Sequence, residues 1–280
     1  MSDKSKIEWT DTTWNPVTGC TKVSPGCTNC YIERTRPMRM ANRRFTYRGK
    51  ALGVTTGVQL HPERLEAPRD WRKPRRVFVN SMSDLFHEDV PDEFISHVFA
   101  VMSMTPQHSY QILTKRPERM ADYLTIMTRD PDAYCFAWAR DGGFLGGLPG
   151  LPLPATAWPL PNVWLGVSVE NQHWADIRIP LLLQTPAAVR FVSYEPALGP
   201  VRFGSLKALN QIIVGGESGP RARPFDPEWA RQTIAQCRAA GVAPFVKQLG
   251  SVWAKKHGDT GKGGDMSLWP EDLRVREFPR

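Results

Sequence analysis

The stretch Val77-Phe78-Val79-Asn80-Ser81-Met82-Ser83-Asp84 begins as a short β-branched and aromatic run and ends on hydrogen-bonding and charged residues. The same arrangement returns at Tyr110-Gln111-Ile112-Leu113-Thr114 before Lys115-Arg116-Pro117, and at Val163-Trp164-Leu165-Gly166-Val167-Ser168-Val169 before Glu170-Asn171. It returns again at Val189-Arg190-Phe191-Val192-Ser193 before Tyr194-Glu195-Pro196. Gln211-Ile212-Ile213-Val214 leads into Gly215-Gly216-Glu217, and Pro244-Phe245-Val246 into Lys247-Gln248. Near-continuous apolar strands of this kind suit a parallel sheet buried on both faces. A further strand is expected through Thr13-Trp14-Asn15-Pro16-Val17, with Pro16 arguing against it.

Helical patterns lie between the strands. Residues 91–104 put Phe94, Ile95, Val98, Val101 and Met102 on one stripe, and residues 117–127 do the same with Met120, Tyr123, Leu124 and Met127. Asp226 as N-cap, Pro227 at the first turn and Gly241 past the end bracket a third helix, on which Cys237 faces the core. This β–α alternation predicts an α/β fold, a complete or partial (β/α) TIM-type barrel of parallel strands, with an open doubly wound sheet as the alternative. The barrel domain is expected over residues 1–250, with a Gly/Pro-rich insertion near 141–162. Residues 251–280 read as an appendage that packs by its tryptophans. In such a barrel the polar strand ends meet at the rim that carries active sites. Any one of them is explained by capping or solvation, but the set argues for function. Paired glycines at 215 and 216 also let a ligand come close to the backbone.

The candidate first strand leads into Gly19-Cys20-Thr21-Lys22-Val23-Ser24-Pro25-Gly26-Cys27-Thr28-Asn29-Cys30-Tyr31. Only two other cysteines, Cys135 and Cys237, occur in the 280 residues. Clustered thiols in a cytosolic protein point to metal or catalysis more than to cross-links. A closed zinc site wants four ligands, so Cys20, Cys27 and Cys30 leave one position open unless another residue, with His61 the nearest candidate, closes it. An iron–sulfur or zinc centre is therefore expected in the loop after the first strand. The polar start Met1-Ser2-Asp3-Lys4-Ser5-Lys6 lacks a signal-peptide core, and apolar runs such as residues 98–102 are too short for a membrane span. A cytoplasmic location without membrane contact is expected.

The formal charge of +8 is unevenly spread. Arg34, Arg36, Arg39, Arg43, Arg44, Arg48 and Lys50, then Arg69, Arg72, Lys73, Arg75 and Arg76, are interleaved with Tyr31, Phe45, Tyr47 and Trp71. Cations for phosphates and aromatic faces for bases are what a nucleic-acid surface needs, though a solvated basic face has the same composition.

Trp14-Asn15-Pro16-Val17-Thr18-Gly19-Cys20, Ser24-Pro25-Gly26-Cys27-Thr28-Asn29-Cys30-Tyr31, Val77 to His87, Leu113 to Glu118, Trp164 to Glu170 and Val214 to Gly219 resemble the three-Cys-motif family of phage and prophage proteins. That family is similar in turn to radical S-adenosylmethionine (SAM) enzymes. The resemblance spans about residues 14–250. It implies a [4Fe–4S] cluster on Cys20, Cys27 and Cys30, with S-adenosylmethionine completing the fourth iron and yielding a hydrogen-abstracting radical. It implies the amino group of SAM on Asp84, beside Ser81 and Ser83, and its ribose on Glu170. Gly215, Gly216 and Glu217 resemble the glycine-rich SAM contact, and Arg116 falls to the SAM carboxylate. Lys115, Glu195 and Lys247 are left as catalytic candidates. It further implies a reductant such as flavodoxin or ferredoxin, a nucleic acid or nucleotide substrate, a partner protein from a neighbouring gene, and a bacterial host cytoplasm. Six residues separate the first two cysteines, where radical-SAM enzymes commonly have three. Two other readings fit the residues: a zinc-bound, non-enzymatic nucleic-acid binder, and a metal-independent barrel lyase or hydrolase using Glu195 and Glu217.

Overall fold

The computed structural model describes residues 5–34, 57–129 and 158–279. The described strands are β1 (Thr12–Trp14), β2 (Val17–Thr18), β3 (Gln59–Leu60), β4 (Arg76–Val79), β5 (Ser109–Thr114), β6 (Val163–Val169), β7 (Val189–Tyr194), β8 (Gln211–Gly215) and β9 (Ala243–Gln248). The α-helices are α1 (Asp92–Met104), α2 (Pro117–Arg129), α3 (Gln172–Gln184), α4 (Pro227–Ala240) and α5 (Ser251–Lys256). Seven strands form a parallel sheet in the order β1-β4-β5-β6-β7-β8-β9, so the chain has an α/β fold, a partial TIM-type barrel. Internal contacts divide the chain into two compact units. One is Met1–Lys22, Ile32–Leu165 and Gln184–Val189; the other is Val23–Tyr31, Gly166–Leu183 and Arg190–Arg280. Residues 36–50 with their basic and aromatic side chains, Cys135, and residues 141–157 of the Gly/Pro-rich stretch lie outside the described residues.

In the first unit the apolar strand runs form the core. Val77, Val79, Tyr110 and Ile112 are fully buried, as are Ile95 and Val98 of α1 and Met120, Leu124 and Met127 of α2. The expected strand through residues 13–17 is divided. The chain pairs with β4 only as far as Trp14, bends at Asn15-Pro16, and resumes as β2 against β3. Pro16 has no N–H for a continued ladder, which accounts for the break.

Two asparagines fasten this bend to the end of β4. Asn80 sits at φ 59°, and its amide N–H donates to Trp14 O at 2.7 Å. Its Oδ1 accepts from Val17 N–H at 3.1 Å, while Asn15 Oδ1 accepts from Met82 N–H at 2.9 Å and Ser81 Oγ at 3.2 Å. Gly19 lies at φ 92°, where an added Cβ would stand 1.8 Å from Gly57 O, so glycine is required at the entrance to the cysteine loop.

In the second unit Phe191, Val192, Ile212, Ile213, Val214, Phe245 and Val246 form the buried strand core. Helix α4 has the expected ends: Asp226 Oδ1 accepts from Glu228 N–H, and Gly241 closes it at φ 69°. Cys237 is fully buried there, and burial pushes its thiol up to about 12. The last residues cover strand β9: Val246 N–H donates to Val275 O, Glu277 N–H to Pro244 O, and Trp269 is buried with its indole N–H on Gly263 O. That pairing protects backbone groups which an edge strand would otherwise expose.

The Asn80 geometry separates two contributions. Asn80→Ala loses both the Val17 bond and tolerance of the left-handed backbone, whereas Asn80→Gly loses only the bond. Urea unfolding is expected to find the alanine variant less stable than the glycine variant by about 1 kcal/mol.

Candidate functional site

In the first unit the site is assembled around one carboxylate. Asp84 is buried, and its Oδ1 accepts from Thr114 Oγ1 at 2.7 Å and Phe86 N–H at 3.1 Å. Its Oδ2 accepts from Lys115 N–H at 2.9 Å and from the Arg116 guanidinium at 3.2 Å. Four donors occupy the acceptor directions that a carboxylate offers. Arg116 carries the connection to the cysteine loop. It donates to Thr21 Oγ1 at 2.6 Å, Thr21 O at 3.4 Å, Glu88 Oε2 at 3.0 Å and Cys20 Sγ at 3.7 Å. Burial opposes the charge on Arg116, but Asp84, Cys20 and Glu88 hold its pKa above the ordinary value. A guanidinium beside a thiol favours the thiolate, the form that binds metal.

His87, fully buried, completes this cluster. Its Nδ1 accepts from Asp89 N–H at 3.1 Å, so Nε2 carries the proton and donates to Thr21 Oγ1 at 2.8 Å. Burial first, then Arg116, lowers its pKa and keeps the ring neutral. Ser81 and Ser83 serve the loop entrance: Ser81 Oγ donates to Asn15 Oδ1 and Ser83 Oγ to Val17 O. The Lys115 side chain takes no part in the Asp84 cluster, to which this residue contributes its backbone N–H. His61 has both ring nitrogens engaged, Nε2 with Thr18 Oγ1 at 2.8 Å and Nδ1 with Glu63 Oε1 at 3.1 Å.

In the second unit two strand-end carboxylates hold the other half of the cysteine loop. Glu170, fully buried, accepts from Gly26 N–H at 3.1 Å and pairs with Arg178 at 3.2 Å. Arg178 lies over the Trp174 ring at 4.0 Å. Glu217 accepts from Asn29 Nδ2 at 3.1 Å and takes a two-pronged contact from Arg223, Nε at 2.9 Å and Nη2 at 2.6 Å. The same Nη2 also donates to Pro25 O at 3.0 Å. Burial works to raise the Glu217 pKa, but hydrogen bonds from Arg223 and Asn29 win and hold it below the ordinary carboxylate range. Glu195 is taken by Lys247, whose Nζ is 2.8 Å from each carboxylate oxygen, and by Gln248 Nε2 at 3.1 Å. Glycine at 216 is explained by the chain itself: an added Cβ would stand 2.7 Å from Leu249 O. At 215 an added Cβ would sit 3.5 Å from Glu195 Cδ and from Gln248.

Cys20, Cys27 and Cys30 are partly exposed cysteines that form no disulfide among the described residues. Among the described residues no group of three or more His, Cys, Asp or Glu side chains is arranged to hold a metal ion. The side chains that grip the loop include several that the strand-end pattern does not single out. Thr21 and Asn29 lie within the cysteine stretch, and Arg223 follows Glu217 by six residues. Arg178 sits two turns into the helix after Glu170.

The molecule is thus a partial-barrel α/β protein whose strand-end charges grip a cysteine-bearing loop. The chain belongs to the family described as protein of unknown function (DUF5131), which it matches over residues 4–271. No curated protein and no solved structure matches it.

Two outcomes follow from these contacts. Asp84→Asn leaves Arg116 buried beside a neutral amide and is expected to cost about 3 kcal/mol in chemical unfolding. Glu217 has a lowered folded-state pKa, so its contribution is fully present above the unfolded-state value of about 4.3 and is lost as pH falls through the folded one. Melting curves of wild type and Glu217→Gln are therefore expected to differ at pH 7 and to converge in acid.

Proposed function

We propose that this protein is a radical-SAM-like [4Fe–4S] enzyme, with Cys20, Cys27 and Cys30 as the cluster ligands. The observation that carries the reading is the commitment of strand-end charges to the cysteine loop: Arg116 on Cys20 and Thr21, Glu170 on Gly26, Glu217 on Asn29. Fixing a short loop through buried or half-buried ions is costly unless the loop must hold a demanding geometry. When bound, the cluster supplies the electron that cleaves the sulfonium of SAM.

The chain's own residues do the rest. Arg116 places a positive charge beside Cys20 Sγ and, fixed by Asp84, holds the first turn of the loop through Thr21. On either side of Cys27, Glu170 holds the backbone N–H of Gly26 and Glu217 the side-chain amide of Asn29. Lys115, Glu195 and Lys247 remain for substrate. Glu217 stays ionised against Arg223 and Glu195 is paired with Lys247, which disfavours an acid–base pair made of these two carboxylates. A zinc site closed by His61 is disfavoured because both of its ring nitrogens are engaged.

The exposed Arg69, Arg72 and Lys73 beside Trp71 favour a nucleic acid or nucleotide substrate. By resemblance the enzyme is phage- or prophage-encoded, works in the host cytoplasm, draws electrons from a flavodoxin or ferredoxin, and has a partner from a neighbouring gene. The test is anaerobic reconstitution followed by metal analysis and absorbance with and without SAM. About four irons per chain, a SAM-dependent spectral change, and loss of both in Cys20→Ser, Cys27→Ser or Cys30→Ser are expected. A colourless protein with one zinc contradicts the proposal and favours the zinc-bound nucleic-acid binder.

A further inference from the structure

Strands β8 and β9 fall out of step at their ends. Val214 pairs with Val246, but Gly215 pairs with Gln248, so Lys247 is the extra residue of a bulge. Bulges of this kind re-aim a side chain and recur next to active sites. Here the re-aimed ammonium meets Glu195, and the pair is largely shielded, at 14% and 16% exposure.

An ammonium has three N–H donors, and the two oxygens of Glu195 take two of them at 2.8 Å each. Gln248 spends both amide hydrogens, on Glu195 Oε1 at 3.1 Å and Gly216 O at 2.9 Å, which fixes the amide's orientation. Its carbonyl oxygen is buried, and among the described residues no donor reaches it. Gln248 itself is 2% exposed. Among the described residues the cluster therefore keeps one strong donor on Lys247 and one buried acceptor on Gln248, with no net charge. Gly215 adds no side chain against Glu195 and Gln248.

We infer that Glu195, Lys247 and Gln248 form a subsite for a neutral lactam edge, –CO–NH–, of a uracil- or guanine-type base. The base carbonyl accepts from Lys247 and the ring N–H donates to Gln248 Oε1. This deepens the proposed function, on which it rests for the substrate's chemistry. A site built to satisfy a buried polar group rejects an analogue lacking the matching one.

Calorimetry with uridine and 3-methyluridine, and with guanosine and 1-methylguanosine, tests it on the full chain. At least one parent nucleoside is expected to bind about tenfold or more tighter than its N-methylated form. Gln248→Leu should erase that difference while the protein still melts cooperatively. If Gln248→Leu does not fold, Gly215→Leu, which hangs a side chain over Glu195 and Gln248, should abolish binding of the parent. Failure of both parents to bind, equal binding of parent and methylated forms, or a difference that survives in the folded variant overturns the subsite. The titration is run on iron-free and iron-loaded protein. Iron without base recognition then removes the subsite alone, and base recognition without iron removes the radical-enzyme reading alone.

Discussion

The Asp84 carboxylate joins the ends of β4 and β5 through Thr114, Lys115 and Arg116, and Arg116 passes that constraint to Cys20 and Thr21. Neither partner is easily replaced. A buried guanidinium without its carboxylate is strongly destabilising, and a carboxylate with four donors withdrawn leaves four polar groups to be satisfied elsewhere. The first turn of the cysteine loop is thus tied to the same ion pair that closes the strand ends. Fixed in this way, the guanidinium is both a mechanical support for Cys20 and a source of positive charge beside its sulfur.

The second unit repeats the device with opposite sign. Glu170 and Glu217 are anions at strand ends, each neutralised by an arginine from the chain that follows, Arg178 and Arg223. Each then has an acceptor left for the loop. Glu170 uses it on a backbone N–H and Glu217 on an asparagine amide. The Glu170–Arg178 pair is buried on both sides, where an ion pair contributes little net stability, and it fixes one position of the loop acceptor. The third pair, Glu195 with Lys247, does not engage the loop in any described contact.

Much of the fold was readable from residue order. The apolar runs at 77–80, 110–114 and 163–169 became β4, β5 and β6 to within a residue or two, because a strand buried on both faces has few other compositions open to it. The Asp226, Pro227 and Gly241 signals located α4 for the same kind of local reason. Helix α3 announces itself poorly, since Pro180 lies in its interior and its apolar residues do not form one stripe. Strand β1 is shorter than the pattern implied because Pro16 ends the ladder. At the site, the strand-end charges could be named but not their partners. Asp84, Glu170 and Glu217 were expected to meet a cofactor, whereas the contacts they make here are to Arg116, Gly26, Asn29 and other parts of the chain. The contacts to Gly26 and Asn29 span 144 and 188 residues and that of Asp84 to Arg116 spans 32, separations that no local pattern encodes.

The most direct test of this account is amide hydrogen exchange over residues 23–31 in wild type and Glu170→Met, which removes the acceptor of Gly26 N–H while keeping an apolar side chain of similar length. If strand-end charges hold the cysteine loop, exchange should accelerate more at Gly26 and its neighbours than in β7, β8 and β9. Unchanged exchange in the loop would contradict it.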